Sequence, residues 1–336
     1  MLSRVAENLY WLGRYLERAE NTARFINSTT QVLLDLPQDA AFGWDVLLKV
    51  AGLNHEFASR YQHADEDSLM SFLIEDAENP GSILSCIHNA RENARTVREV
   101  LPMELWERIN SLYLYIRENA ARAKQGRGPR HEVLMGVIGQ RESIIGLLTG
   151  SMSRDVAYQL IKLGRNLERA DMTTRIVDVN SAVQLPTDPA LASLTTLSMW
   201  MSTLNALSAY QMYRRHVGVH VRGNDVVNYL LKNPHFPRTV LHCLAEIEGC
   251  LSVLPDHSAA MKKVRQTWRR VEGMQLDGLK PIVLHEYLDQ VQSDLGAIHA
   301  AVAEKYFHLH QKAAVTAENP SSGTSRMTQS SSNIPV

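Results

Sequence analysis

The sequence predicts an all-α fold, a helical bundle made of two tandem helical repeats related by a pseudo-two-fold axis. Three observations predict it. Apolar residues recur at spacings of three and four almost throughout the 336 residues, which is the period of an amphipathic helix. Strand signals are nearly absent, with no sustained β-branched alternation and no Asn-Gly hairpin turn. A charged block near the start also recurs 151 residues later, which points to internal duplication.

Taken in order, the first helix is expected to start at Ser3 as N-cap and to run to about Leu34, stopped by Leu36-Pro37. Asn79-Pro80 and Phe236-Pro237 are expected to place proline in the first turn of a helix, which tolerates its missing N–H. Gln125 to Pro129 reads as a loop by its glycines and proline, and the basic stretch Lys124 to Arg130 as a solvated connector, since it lacks GxxxxGK[ST]. A second long helix is expected from near Ser153 to just before Leu185-Pro186. From about Ala313 the chain turns to Ser, Thr, Asn, Gly and Pro, so residues 313–336 are expected to be a disordered tail. The halves, 1–150 and 151–312, are expected to share one core.

Aligning Val5–Arg24 with Val156–Arg175 gives identity at 12 of 20 positions, among them Gly13/Gly164, Arg14/Arg165, Leu16/Leu167, Glu17/Glu168, Arg18/Arg169, Ala19/Ala170 and Arg24/Arg175. A second block aligns Pro80-x-Ser82-Ile83-Leu84-x-Cys86-Ile87 with Pro237-x-Thr239-Val240-Leu241-x-Cys243-Leu244. Two blocks in the same order imply duplication.

At about 100° per residue, with Gly13 at zero, Val5, Leu9, Leu12, Leu16, Ala19 and Ala23 fall within roughly 240° to 320°, an apolar stripe that makes core. Ala6, Gly13, Glu17, Glu20 and Arg24 lie beside it at roughly 340° to 40°, while Arg14 and Arg18 lie further round at about 100° to 140°. Small residues on a line with carboxylates mark a close helix approach that would partly bury Glu17, Glu20 and Arg24. The second copy repeats the line with Ala157, Gly164, Glu168, Asp171 and Arg175. Two readings stay open: ion pairs that tie helices together, Glu20 with Arg24 and Arg14 with Glu17 or Arg18, or a cleft in which arginines grip a carboxylate or phosphate. On the geometry alone, Arg14 and Arg18 are the motif groups freer to bind.

The second block continues in the first copy as Ala90-Arg91-Glu92-Asn93-Ala94-Arg95, which the second copy lacks. A site would then be asymmetric, with Arg91, Glu92 and Arg95 from one half, unless they form a solvated helix face. Candidate acid/base groups are therefore Glu17, Glu168 and Glu92. Candidate binding groups are Arg14, Arg18, Arg24, Arg91, Arg95, Arg165, Arg169 and Arg175.

Other signals are weaker. Lys plus Arg number 35 against 36 Asp plus Glu, so no net field holds nucleic acid or an anionic membrane, and such binding would need a local patch. Cys86, Cys243 and Cys250 lack CxxC spacing, which argues against disulfides or zinc and suits a reducing cytoplasm. Arg4, Glu7 and Arg14 interrupt any N-terminal signal core, and no run reaches the ~18 apolar residues of a membrane span. His216 and His220 stand four apart, a metal-ligand spacing, but without the HExxH glutamate. His308 and His310 are two apart and would diverge on a helix. Arg214-Arg215 and Arg222-Gly223-Asn224-Asp225 could add to a pocket or form a surface turn. No metal and no cofactor is expected, and no nucleophile is apparent.

Leu12-Gly13-Arg14-Tyr15-Leu16-Glu17-Arg18-Ala19-Glu20-Asn21-Thr22-Ala23-Arg24, followed by Asn79-Pro80-x-Ser82-Ile83 and the Ala90–Arg95 segment, resembles the bacterial alpha-E family over residues 1 to about 312. That family is an all-helical domain of unknown function named for its Glu-Arg motif, which falls here on Glu17-Arg18 and, through the repeat, on Glu168-Arg169. Its members are typically encoded beside a circularly permuted ATP-grasp protein and a transglutaminase-like cysteine peptidase. The resemblance thus implies a role in an ATP-dependent amide-ligation or peptide-modification system, and the lack of a nucleophile, metal cluster or nucleotide loop in the sequence points to a non-catalytic helical partner or substrate-presenting scaffold, expected in the cytoplasm. The alternative is an enzyme of that system using the motif's glutamates for acid/base work. A homo-oligomer is compatible with either.

Overall fold

Helix-forming periodicity carries through the chain. In the computed structural model, which describes residues 3–35, 43–182, 188–275 and 280–307, fourteen α-helices and no strand occur among the described residues. They are α1 (Ser3–Asp35), α2 (Val46–Ala51), α3 (Asn54–Ala58), α4 (Glu66–Met70), α5 (Ile83–Thr96), α6 (Met103–Asn119) and α7 (Arg127–Ser151), then α8 (Val156–Ala182), α9 (Pro189–Ala206), α10 (Tyr210–His216), α11 (Gly223–Lys232), α12 (Val240–Val253), α13 (Ser258–Gly273) and α14 (Pro281–Tyr306).

Several boundaries differ from expectation because a side-chain cap, rather than a proline, sets them. α5 begins after Ser82, whose hydroxyl accepts from Ser85 N at 3.0 Å, and α12 after Thr239, which accepts from His242 N. Pro80 and Pro237 therefore stand outside the first helical turns. Asp155, not Ser153, opens α8, its carboxylate accepting from the amides of Ala157 and Tyr158 at 3.0 and 3.2 Å. Such caps satisfy amides that have no intrahelical acceptor.

The expected loop at Gln125–Pro129 is shorter than its composition suggests. Gly126, at φ 126°, turns the chain, and Gly128 and Pro129 already lie in the first turn of α7, where proline forfeits no helical bond. Arg130 is not solvated either: it is buried, donating to Glu66 Oε1 at 2.7 Å and to the Ala123 carbonyl at 3.1 Å. His216 and His220 do not share a helical face, because α10 ends at His216 and Gly218 turns at φ 143°. Leu36-Pro37, Leu185-Pro186, His308, His310 and the 313–336 tail lie outside the described residues.

α1 and α8 form the central pair. α5, α7 and α9 pack on α1, while α2, α12 and α14 pack on α8; α6 joins α5 to α7, and α13 lies between α12 and α14. The buried apolar residues make one cluster from Ala6 to Phe307. Leu9, Leu12, Leu16, Ala19 and Ala23 of the α1 stripe are all buried in it.

The central pair touches backbone to backbone. A Cβ placed on Gly13 would lie 2.1 Å from the Ile161 carbonyl oxygen, and one on Gly164 would lie 2.1 Å from the Tyr10 carbonyl oxygen. The contact is reciprocal, since Tyr10 and Ile161 each stand three residues before the glycine of their own helix. Gly139 and Gly146, exposed on α7, have nothing within 4 Å of such a Cβ.

Gly13→Ala and Gly164→Ala are each expected to destabilise the protein by at least ~1–3 kcal/mol, because backbone must move to admit the methyl group. Gly139→Ala and Gly146→Ala should each add about 0.5–1 kcal/mol through helix propensity. Thermal melts of the four variants decide it, and equal effects at all four positions would contradict the close crossing.

Candidate functional site

The Gly-Arg-x-Leu-Glu-Arg-Ala segments of α1 and α8 meet at that crossing, and each supplies the counter-ions of the other. Glu168 accepts from Arg14 Nε at 2.6 Å and from Arg18 Nε and Nη2 at 2.6 and 3.1 Å. Glu17 accepts from Arg169 Nε and Nη2 at 2.7 and 2.9 Å. Arg18 on Glu168 and Arg169 on Glu17 are both two-pronged, the geometry in which a planar guanidinium binds a carboxylate best. Both carboxylates are fully removed from water.

Arg14 and Arg18 therefore do not project away from the glutamate line to a free surface. With the axes this close, α8 occupies the sectors of α1 that hold both Gly13 and the two arginines, and long side chains reach round to it. The Arg14 guanidinium also lies 5.1 Å from the Trp11 ring centroid, a cation–π distance.

Around Glu17 the network extends to residues that sequence reasoning did not pick out. Arg141 of α7 contacts Glu17 and Glu20, and Arg238, just before α12, reaches Glu17 at 3.1 Å, Glu20 at 2.5 Å and Asn21 Oδ1 at 2.8 Å. Arg24 donates to Glu20 at 2.7 Å, as its i,i+4 spacing predicts, and also reaches Ser208 and Glu142. Four guanidiniums thus surround two buried carboxylates. Arg238 carried a faint signal: it replaces Gly81 of the aligned second block. Arg141 has no aligned counterpart and carried none.

Burial raises the pKa of Glu17, but Arg141, Arg169 and Arg238 outweigh it and hold the carboxyl well below the usual range. For Glu168 the same contest, decided by Arg18 and Arg14, brings the carboxyl down to about 2. Burial pushes Arg141 down to about 10 despite Glu17 and Glu20, and it stays charged at neutral pH. Arg165, the counterpart of Arg14, is pushed down by burial and by Arg169, and it forms no ion pair among the described residues. Its Nε and that of Arg141 are buried without a hydrogen-bond partner there.

The other candidates stand apart from this network. Arg91 donates to Asn110 and Glu92 and lies against the Trp106 and Tyr113 rings of α6, while Arg95 pairs with Glu92. These three form a partly exposed cluster between α5 and α6 and join no motif residue. Arg175 pairs with Asp171 at 2.8 Å.

The cavity beside the crossing, lined by Gly13, Leu16, Ile161 and Arg165, has a volume of about 10 Å³, room for one water at most. Glu17 and Glu168 are thus ionised, gripped and shut off, an arrangement suited to fixing two helices. Elsewhere, Asp178, His285 and Asp289 bring ligand atoms within 4.8 Å of one another. A hydrogen bond links α8 to α14 there, with His285 Nδ1 2.9 Å from Asp178 Oδ2, and that bond raises the histidine pKa.

The model of the Alpha-E family, described as a predicted alpha-helical domain with a conserved ER motif, matches residues 1–307. Uncharacterized proteins of Mycobacterium bovis and of two Mycobacterium tuberculosis strains are 25% identical over 283 residues, covering 78% of this chain and 31% of each relative. The chain therefore spans less than a third of the length of these curated relatives. No solved structure matches it. No described helix is long and apolar enough to cross a membrane.

Because the folded pKa of Glu168 lies below the unfolded value of ~4.3, the unfolded chain binds the extra proton in between. Its contribution is present above about pH 4.3 and is expected to be lost, by on the order of 3 kcal/mol, as pH falls toward 2. Acid melts of Glu168→Gln and of the unaltered protein check this: the variant should lose less stability across that window, and parallel curves would refute it.

Proposed function

The chain belongs to the Alpha-E family, and from that premise we propose that it is a non-catalytic helical partner, or substrate-presenting scaffold, of a cytoplasmic ATP-dependent amide-ligation or peptide-modification system. A circularly permuted ATP-grasp protein supplies the activated carboxylate in this reading, and a transglutaminase-like peptidase acts beside it. The observation that carries it is that the family motif is spent on architecture. Glu17 and Glu168 are fully buried and held ionised by the opposite helix, whereas a general acid/base must exchange protons with a substrate it can reach. The length of the curated relatives adds support, because there the matched segment is one part of a much longer protein.

One observation favours the second reading, an enzyme or anion-binding site built on the same residues. Arg24, Arg141, Arg169 and Arg238 outnumber Glu17, Glu20 and Glu142 by one, and an added phosphate or carboxylate would balance them.

Two measurements separate these. Co-expressed with the circularly permuted ATP-grasp protein of the same genome, the chain is expected to co-elute with it in gel filtration; separate elution as monodisperse species refutes the partner role. Glu17→Gln leaves three guanidiniums short of a buried counter-ion and is expected to cost about 3–5 kcal/mol in a denaturant melt. An unchanged melt accompanied by loss of a turnover measured on the isolated protein would establish the enzyme instead.

A further inference from the structure

Away from the central pair, α9 carries no charged residue. One side packs on α1, where Ser28 and Ser202 hydroxyls meet at 2.7 Å, yet Leu194 and Leu197 on the other side are 60% and 40% exposed. Between α9 and the segment that joins α10 to α11 runs a groove of about 870 Å³. Leu197 and Val219 flank it, Trp200 and Tyr210 line it, and His220 and Arg222 stand at its edge. Gly223 lets the Trp200 indole lie close, since a Cβ there would be 2.7 Å from Nε1. No described residue accepts from that indole N–H.

Asp188, which caps α9, and Asp225, in the first turn of α11, stand at the two ends of the groove, but the charge between them is cationic. Residues 189–224 contain no Asp or Glu, but they contain Arg214, Arg215 and Arg222, in a chain whose net charge is −1. None of these three arginines has an ion pair among the described residues, and Arg214 extends over the Tyr210 ring, 5.7 Å from its centroid. This is the local cationic patch that the balanced overall composition conceals.

We propose that this groove docks an acidic amphipathic helix of a partner protein, apolar side chains entering between Leu197 and Val219 and carboxylates meeting Arg214, Arg222 and the Trp200 indole. The inference rests on the reading of the chain as a docking partner, but not on the ATP-grasp protein being that partner. Charge complementarity selects the occupant. A second copy would bring the same cations face to face, and the chain's own residues 308–336 hold one glutamate against Lys312 and Arg326. A concave site suits a ridge of side chains better than a flat bilayer. From Pro189 to Met201 the groove runs ~18 Å along α9, about three turns of a docked helix, the mode left to a partner when no sheet edge is on offer.

The test selects a displayed library of random 16-residue peptides against the full chain. Enriched peptides are expected to be acidic, with leucine-like residues at helical spacing, and to bind Leu197→Asp and Arg222→Glu at least about tenfold more weakly. Both substitutions are on the surface, and unchanged melts confirm folding. No enrichment, enrichment of neutral or basic peptides, or equal binding to both variants overturns the proposal. So does binding to phosphatidylglycerol vesicles that both variants lose, or a dimer that Leu197→Asp dissolves. Peptide binding without co-elution of the ATP-grasp protein would sink the functional reading and leave the groove standing; the converse would do the opposite.

Discussion

The backbone crossing of α1 and α8 at Gly13 and Gly164 is the constraint on which the other features depend. It sets the two axes so close that Glu17 and Glu168 are sealed from water, and a carboxylate so placed is tolerated only with charged partners in good geometry. The partners come from the facing helix, Arg169 for Glu17 and Arg14 with Arg18 for Glu168. Neither half of this arrangement works without the other. A methyl group on either glycine would separate the axes and stretch the pairs, and an uncharged residue at either glutamate would strand guanidiniums that have already lost their hydration.

Buried ion pairs are a costly way to add stability, since apolar residues of similar volume often do as well. Their strength lies in direction: a two-pronged arginine on a carboxylate tolerates one register and one crossing, whereas leucines on α1 and α8 would accept several. Away from the motif, Leu194 and Leu197 of α9 meet solvent, and Arg214, Arg215 and Arg222 form no ion pair among the described residues.

Much of this was legible in sequence. The all-helical class, the buried α1 stripe, the close approach at Gly13 and the Glu20–Arg24 pair follow from period and residue type. The helix starts were less so, because Ser82, Asp155 and Thr239 rather than nearby prolines and serines make the caps, and several residues in each stretch are equally good candidates. Arg130 shows the opposite error: a basic residue in a Gly-Pro stretch reads as solvated, and only its meeting with Glu66 from another helix buries it. Arg214, Arg215 and Arg222 read in sequence as a surface turn sooner than as part of a pocket, and only the packing of α9 against the α10–α11 segment sets Arg222 on a groove.

What the sequence determined by itself is therefore local: where helices form, which stripe is apolar, and that one charged block occurs twice. Which arginine meets which glutamate was decided only by the tertiary structure. Helical geometry places neighbours at three and four residues, but Arg14, Arg18, Arg141, Arg169 and Arg238 reach partners more than a hundred residues away. No periodicity records how two helices cross, and that crossing turned the motif from a set of apparently available charges into a closed joint.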